Sequence, residues 1–339
     1  CIGIEDSFEG ILGQTHTVNL TTKSVSGLLP KGGTILGTRN RGSFVKMIDG
    51  KPHFTELPIS EALANLDILG IDALVAIGGE GTLAIAEQFH QRGFPVVGVP
   101  KTIDNDLAAT ELTFGFMTAI DIATEALDRL HTTAASHDRI MVLEVMGRNT
   151  GWIALNAGLA GSADIILIPE IPYSFESIVR KVHEREESGS RFTNIVVAEG
   201  ALEEGKDLMY QDRDAMRLGG VGVYVRNRIE ELTGKESRCV VLGHLQRGGS
   251  PNAFDRVLGT NLGACAVRAL ANGEVGKMVA LNASSIVTVP LSEAIANIKT
   301  VPVDGQLVRT ARDIGISFCA PHESRTADGR EFESITQTA

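Results

Sequence analysis

Six short apolar runs, most of them rich in β-branched residues, recur along this chain: Ala73–Ile77, Pro95–Val99, Ile140–Val145, Asp164–Ile168, Asn194–Ala198 and Cys239–Leu242. They are continuous rather than alternating with polar residues, the pattern of strands buried on both faces of a parallel sheet. Between them, Ile59–Leu69, Leu83–Gln91, Thr118–His131, Phe175–Glu187 and Gly220–Thr233 carry apolar residues at helical spacing. Strands alternating with helices predict an α/β fold with mostly parallel sheets. Arg39–Pro58 mixes Gly, Pro and charge and reads as a loop or insertion, and the polar stretch 321–339 reads as a surface tail.

At 339 residues the chain is long enough for two domains. No apolar run approaches the roughly 20 residues of a membrane span. Residues 1–6 lack the basic and apolar regions of a signal peptide, and with no initiator Met the chain is expected to begin inside a longer one. A formal net charge of −11 speaks against nucleic acid or an anionic membrane as partner. The four cysteines are scattered, and Cys239 lies in an apolar run where a buried, reduced thiol is expected. A cytoplasmic protein follows from that reading.

Several strands end in loops that carry chemistry. Gly98 to Asp106 reads Gly-Val-Pro-Lys-Thr-Ile-Asp-Asn-Asp, which sets Thr102, Asp104 and Asp106 close together beside Lys101. Such clustering is costly unless the site handles protons, cations or phosphates. The earlier run ends in Gly78-Gly79-Glu80-Gly81-Thr82, with a helix expected to open at Leu83. Closely spaced backbone N–H groups there suit phosphate oxygens, and Glu80 suits an accompanying magnesium ion. If the strands are neighbours, both loops lie at the carboxyl edge, where open α/β sheets bind ligands. A carboxylate at Asp104 would then serve as base for an alcohol attacking a phosphoryl group.

Three further run ends add candidates. Met146-Gly147-Arg148 offers a guanidinium to a phosphate, and Trp152, the sole tryptophan, suits core packing better than recognition. Glu199, in Ala-Glu-Gly, is placed to accept hydroxyl hydrogen bonds. The segment Arg238–Pro251 is expected to put Arg238, His244 and Arg247 around one strand end. No Walker A loop and no Gly-x-Gly-x-x-Gly after a strand is present.

These stretches, in this order, resemble the ATP-type 6-phosphofructokinase family from residue 1 to about residue 310. The resemblance implies two Rossmann-like three-layer α/β/α domains with the active site in the cleft between them. It implies a nucleotide half of 1–115 plus 247–300 and a sugar-phosphate half of 116–246 plus 301–320. The implied reaction moves the ATP γ-phosphoryl to the 1-hydroxyl of fructose 6-phosphate in glycolysis, with Mg2+. Carried over by motif, Asp104 matches the catalytic base, with Thr102 and Asp106 beside it. Glu80 matches the magnesium-side carboxylate, and Gly79, Gly81 and Thr82 match the nucleotide phosphate loop. Met146, Gly147, Arg148, Glu199, His244 and Arg247 match sugar-phosphate contacts, Arg148 also stabilising charge on the transferring group. Arg139 and Arg238 match arginines that reach a neighbouring subunit's sugar site, which implies a homo-oligomer, dimer or tetramer, with shared active sites. Allosteric control is a further family trait.

The chain departs from the family pattern in three places. The family's opening strand and Gly-Gly-Asp-x-Pro-Gly-x-Asn loop are missing before Cys1. After Gly32–Thr38 the arginine that contacts ATP is off register, leaving Arg39 or Arg41 as substitutes. Donor markers are mixed: relatives that use pyrophosphate carry Asp where this chain has Gly81, but share Lys at the position of Lys101. An Asp would crowd and repel the nucleotide's α-phosphate, whereas Lys101 adds a favourable charge and blocks nothing, so ATP is the expected donor. The rivals are a pyrophosphate-dependent enzyme, a non-catalytic phosphofructokinase-like subunit and, more remotely, a lipid or NAD kinase.

Overall fold

The structure is a computed structural model that describes residues 1–39, 42–48, 51–212 and 217–321. It divides into two compact units, Cys1–Met117 with Arg247–Ile298, and Thr118–Gln246 with the described residues from Lys299 on. The first unit opens with an antiparallel pair, β1 (Ile2–Ile4) and β2 (Thr17–Asn19), and a hairpin, β3 (Val45–Ile48) and β4 (Lys51–Phe54). Helix α1 (Glu56–Ile68), β5 (Leu74–Gly78), α2 (Glu80–Gln91), β6 (Val96–Thr102) and the short β7 (Phe114–Gly115) follow. Helix α3 (Phe116–His137) then begins the second unit, which continues with β8 (Ile140–Val145), α4 (Trp152–Ala160), β9 (Ile165–Leu167), α5 (Phe175–Glu187) and β10 (Thr193–Ala198). A small pair, β11 (Tyr210–Asp212) and β12 (Arg217–Leu218), precedes α6 (Val221–Thr233) and β13 (Ser237–Val241). The chain returns to the first unit for α7 (Ala253–Ala271), β14 (Lys277–Asn282), β15 (Ser285–Pro290) and α8 (Leu291–Ala294), and α9 (Gln306–Asp313) lies in the second.

In the first unit the sheet order is β15-β14-β6-β5, with β5, β6 and β14 parallel and β15 antiparallel at one edge. Its two faces bury different partners. Leu74, Ala76, Val96, Met278 and Ala280 pack with α1, α2 and α8, whereas Val97, Val99 and Val279 pack with Leu258, Leu262 and Ala266 of α7. That alternation makes three layers. Gly98 has no side chain because a Cβ there would come within 2.7 Å of Leu83 Cδ2 and 2.8 Å of Leu291 Cδ2.

The second unit holds a wholly parallel sheet, β13-β8-β10-β9. Ile140, Val142, Ile165, Leu167, Ile195 and Val197 face a core shared with α5 and α6. The residues between them, including Leu143, Ile166 and Val196, are as deeply buried, and α4 packs on β9 and β10. The α/β class with mostly parallel sheets is therefore as the sequence predicts.

Two expectations need correction, and one helix is missing from the sequence reading. Arg39–Pro58 is not simply a loop: it contains the β3–β4 hairpin and the start of α1. Phe44 anchors it, 2% exposed with its ring against Phe8 and Phe89, and Val45 and Phe54 of the hairpin pack on the same core. Cys239 is half-buried rather than buried, and its thiol is pushed up to about 11, first by desolvation and then by the Glu144 carboxylate. Helix α7 escapes the periodicity reading because Gly and Ala blur its apolar stripe, although Asn252 caps it by accepting the Asp255 N–H at 2.8 Å. Residues 322–339 of the expected tail lie outside the described residues. Among those described, no helix is long and apolar enough to cross a membrane.

Candidate active site

The first unit brings two of the loops together. Gly78 pairs with Pro100 at the carboxyl end of the β5–β6 ladder. Past it, Gly79 runs so close to the next loop that a Cβ there would lie 3.5 Å from Thr102 Cβ. Gly79 is the N-cap of α2, so the helix opens at Glu80, three residues before the expected Leu83. Glu80, Gly81 and Thr82 thus form its first turn, where backbone N–H groups lack intrahelical acceptors and the helix dipole favours anions. Glu80 and Gly81 are exposed and Thr82 is half-buried. A Cβ on Gly81 would meet nothing within 4 Å.

The adjoining turn is built around Asp104, which is 5% exposed. Thr102 Oγ1 accepts the Asp104 N–H at 3.1 Å and donates to Asp104 Oδ2 at 3.3 Å. Asn105 adopts the left-handed conformation, φ 52°, which turns the chain back on itself, and its Oδ1 accepts the Thr113 N–H at 3.1 Å. Thr102, Asp104 and the half-buried Asp106 therefore share one turn, as expected. Burial and then the Arg247 guanidinium push the Lys101 ammonium below its ordinary value, while Asp104 pulls the other way. Lys101 itself is exposed.

The second unit aligns three strand ends. Val145 pairs with Ala198, and Glu144 pairs with Val241, so the loops after β8, β10 and β13 emerge side by side. Met146 is 7% exposed, Gly147 has φ 141° and Arg148 has φ 52°. The Arg148 N–H donates to Glu199 Oε1 at 3.0 Å, joining two predicted contacts directly. Glycine is required at Gly200, where a Cβ would fall 2.2 Å from the Arg148 carbonyl oxygen. His244 is exposed on the 3-10 turn Gly243–Arg247 that follows β13, and the last residue of that turn, the exposed Arg247, already belongs to the first unit. Trp152 starts α4, half-buried, and its Nε1 donates to the Lys299 carbonyl at 2.7 Å, a structural role.

Arg238 is not where the motif reading put it. It and Arg139 lie at the amino end of this sheet, because Ser237 pairs with Ile140, whereas His244 follows the carboxyl end. Both arginines pair with Glu236, Arg139 at 2.8 Å, and Arg238 more closely. Arg39 pairs with Asp6 at 3.1 Å, and Arg41 lies outside the described residues. Motif reading overlooked Gln246, whose only outward signal is its place between His244 and Arg247. It is 2% exposed, and its Oε1 accepts the Met146 N–H at 2.8 Å.

The donor set suits Mg2+. Among the described residues no three His, Cys, Asp or Glu side chains gather into a cage for a metal. Mg2+ needs none, since it keeps several waters and is held through one or two carboxylates together with substrate phosphates. Glu80, beside the anion-favouring start of α2, offers such a carboxylate.

The model of the phosphofructokinase family matches residues 1–270. The chain belongs to this family. Among phosphofructokinases, it is 56% identical over 321 residues to an ATP-dependent 6-phosphofructokinase of Chloroflexus aurantiacus, covering 94% of this chain and 88% of that protein. A pyrophosphate–fructose 6-phosphate 1-phosphotransferase of Amycolatopsis methanolica is 51% identical over 307 residues, 89% of this chain and 86% of that protein. The solved phosphofructokinase of Pichia pastoris, in its T-state, matches with TM-score 0.76 at 32% identity, over 87% of this chain. The match spans only 32% of the yeast chain.

Proposed function

We infer that this phosphofructokinase is an ATP-dependent 6-phosphofructokinase: it transfers the ATP γ-phosphoryl to the 1-hydroxyl of fructose 6-phosphate, giving fructose 1,6-bisphosphate and ADP. The observation that carries this reading is the junction of the α2 N-terminus with the Thr102–Asp104 turn, an anion-receiving helix end beside a buried carboxylate. The 56% identity to an ATP-dependent relative supports the choice of donor.

Each residue then has a task. Gly79, Gly81 and Thr82 receive nucleotide phosphate oxygens through backbone N–H groups, and Lys101 adds a positive charge beside them. Glu80 holds the magnesium ion, which when bound neutralises charge on the transferring phosphate. Asp104 takes the proton of the attacking sugar hydroxyl, with Thr102 orienting its carboxylate and Asp106 alongside. Met146, Gly147, Arg148, Glu199, His244 and Arg247 bind fructose 6-phosphate, and Arg148 also stabilises charge on the moving group. Arg139 and Arg238, at the far end of the second unit's sheet, serve the sugar site of a neighbouring copy in a homo-oligomer. The nucleotide half corresponds to residues 1–115 plus 247–300 and the sugar half to 116–246 plus 301–320, and we place the enzyme in the cytoplasm.

Pyrophosphate is the second reading, favoured by Lys101 and by the Amycolatopsis relative. The open space at Gly81 favours ATP instead, since nothing there crowds an α-phosphate. The test is fructose 1,6-bisphosphate formation from fructose 6-phosphate and Mg2+, with ATP and pyrophosphate supplied separately. Turnover with ATP alone is expected. Turnover with pyrophosphate alone hands the donor to Lys101, and silence with both returns the non-catalytic subunit as the leading account.

A further inference from the structure

Where β8 and β13 part, a side chain takes over from the backbone. The parallel ladder runs through Glu144–Val241, and the Leu242 N–H still donates to the Glu144 carbonyl at 3.1 Å. In a continued ladder the Met146 N–H would donate next to the Leu242 carbonyl. That carbonyl is instead taken by the Leu245 N–H at 3.2 Å, because the chain has already entered the Gly243–Arg247 turn. Met146 is buried, so its N–H needs another acceptor, and Gln246 Oε1 supplies it at 2.8 Å.

The other end of that amide argues against simple packing. Gln246 is 2% exposed, and its Nε2 has no hydrogen-bond partner among the described residues. Reversing the amide gives no relief, because Met146 offers a donor and only the oxygen can accept it. A buried donor left unmade is costly, so an amide is a poor choice for filling space alone. What it provides, and an apolar residue of equal size does not, is a link between two turns. One turn carries Met146, Gly147 and Arg148. The other carries His244, two residues before Gln246.

We propose that Gln246 is a positioning residue for the sugar phosphate: through Met146 it locks the Met146–Arg148 turn to the Gly243–Gln246 stretch that carries His244, so that both present their ligand groups in one arrangement. This rests on the phosphofructokinase reading given above. Two turns held in register before the sugar arrives bind it without the cost of ordering them.

The test is Gln246→Met, which keeps the volume and removes the link. Hydrogen exchange of the ligand-free protein is read first. The peptide covering Met146–Thr150 is expected to exchange at least tenfold faster than in the parent, with β8 and β10 unchanged. Steady-state kinetics come second, with KM for fructose 6-phosphate rising about tenfold and KM for ATP staying within twofold. Unchanged exchange at Met146 overturns the link. Faster exchange with KM values that do not move, or that rise in parallel, overturns the positioning role. Should Gln246→Met not fold, Gln246→Ala, which introduces no new bulk, is held to the same criteria. A parent enzyme that makes no fructose 1,6-bisphosphate sinks the functional reading instead, and the exchange result still judges the link.

Discussion

Asp104 and Gly81 carry the sharpest consequences at the scale of single residues. The Asp104 carboxylate is buried against Thr102, whose hydroxyl donates to Oδ2 and accepts the Asp104 backbone N–H. Asp104→Ser removes the base but keeps a small polar group. It should lower kcat by about 10²- to 10⁴-fold with KM for fructose 6-phosphate little changed, and near-normal turnover in a steady-state assay would remove Asp104 from the role. Gly81 tells in the opposite direction. Because a Cβ there meets nothing, Gly81→Asp should fold normally, and a carboxylate in the first turn even suits the helix dipole. Its cost should fall on the nucleotide, with KM for ATP raised by about tenfold or more, roughly 1.4 kcal/mol of repulsion. Unchanged ATP kinetics at an unchanged melting temperature would remove the steric basis for choosing ATP.

At the scale of elements, the ends of strands and the starts of helices are welded by two carboxylates, one buried and one half-buried. Glu144, 2% exposed in β8, accepts the Gly220 N–H at 3.1 Å and the Gly222 N–H at 2.7 Å, and so caps α6 from the middle of the sheet. Glu170 does the same for α4, taking the Gly151 N–H at 3.1 Å, and it also takes the Val301 N–H at 2.9 Å. Burial raises the Glu170 carboxyl above its ordinary value against those hydrogen bonds. Glu144→Ala leaves two amide donors unmade at the start of α6, a loss of roughly 3 kcal/mol. A melting temperature lower by about 6–12 °C should follow in a thermal scan. A shift under about 2 °C would mean water replaces the carboxylate without penalty.

At the scale of the whole molecule, Arg139 and Arg238 lie at the amino end of their sheet, where both pair with Glu236 and Arg238 also donates to the Ser237 carbonyl at 3.0 Å. If they complete a neighbour's sugar site, two inactive variants should rescue one another. Asp104→Ser and Arg238→Ala chains, unfolded together and refolded as a mixture, should regain activity that neither has when refolded alone. Random reassortment into dimers with reciprocal sites gives about a quarter of the parental activity, because half the dimers are mixed and each has one intact site. No recovery would confine both arginines to their own chain.

The sequence alone determined the α/β class, six core strands and four of the long helices to within a few residues, with α3 running on six residues past the expected His131, because burial on both faces leaves continuous apolar runs that no tertiary context rewrites. It also determined that Thr102, Asp104 and Asp106 share a turn, since residues two apart cannot separate. What lies far apart in the chain was decided only by the tertiary structure. Gly79 meets Thr102 through strand neighbourhood, Arg148 meets Glu199 through the β8–β10 register, and Arg238 falls at the opposite end of the sheet from His244. The β3–β4 hairpin depended on Phe44, Val45 and Phe54 reaching the core, and α7 on packing rather than on a clean stripe. Gln246 is the clearest case: nothing local marks a glutamine as a latch, and its role exists only because β13 turns away before Met146 has found an acceptor.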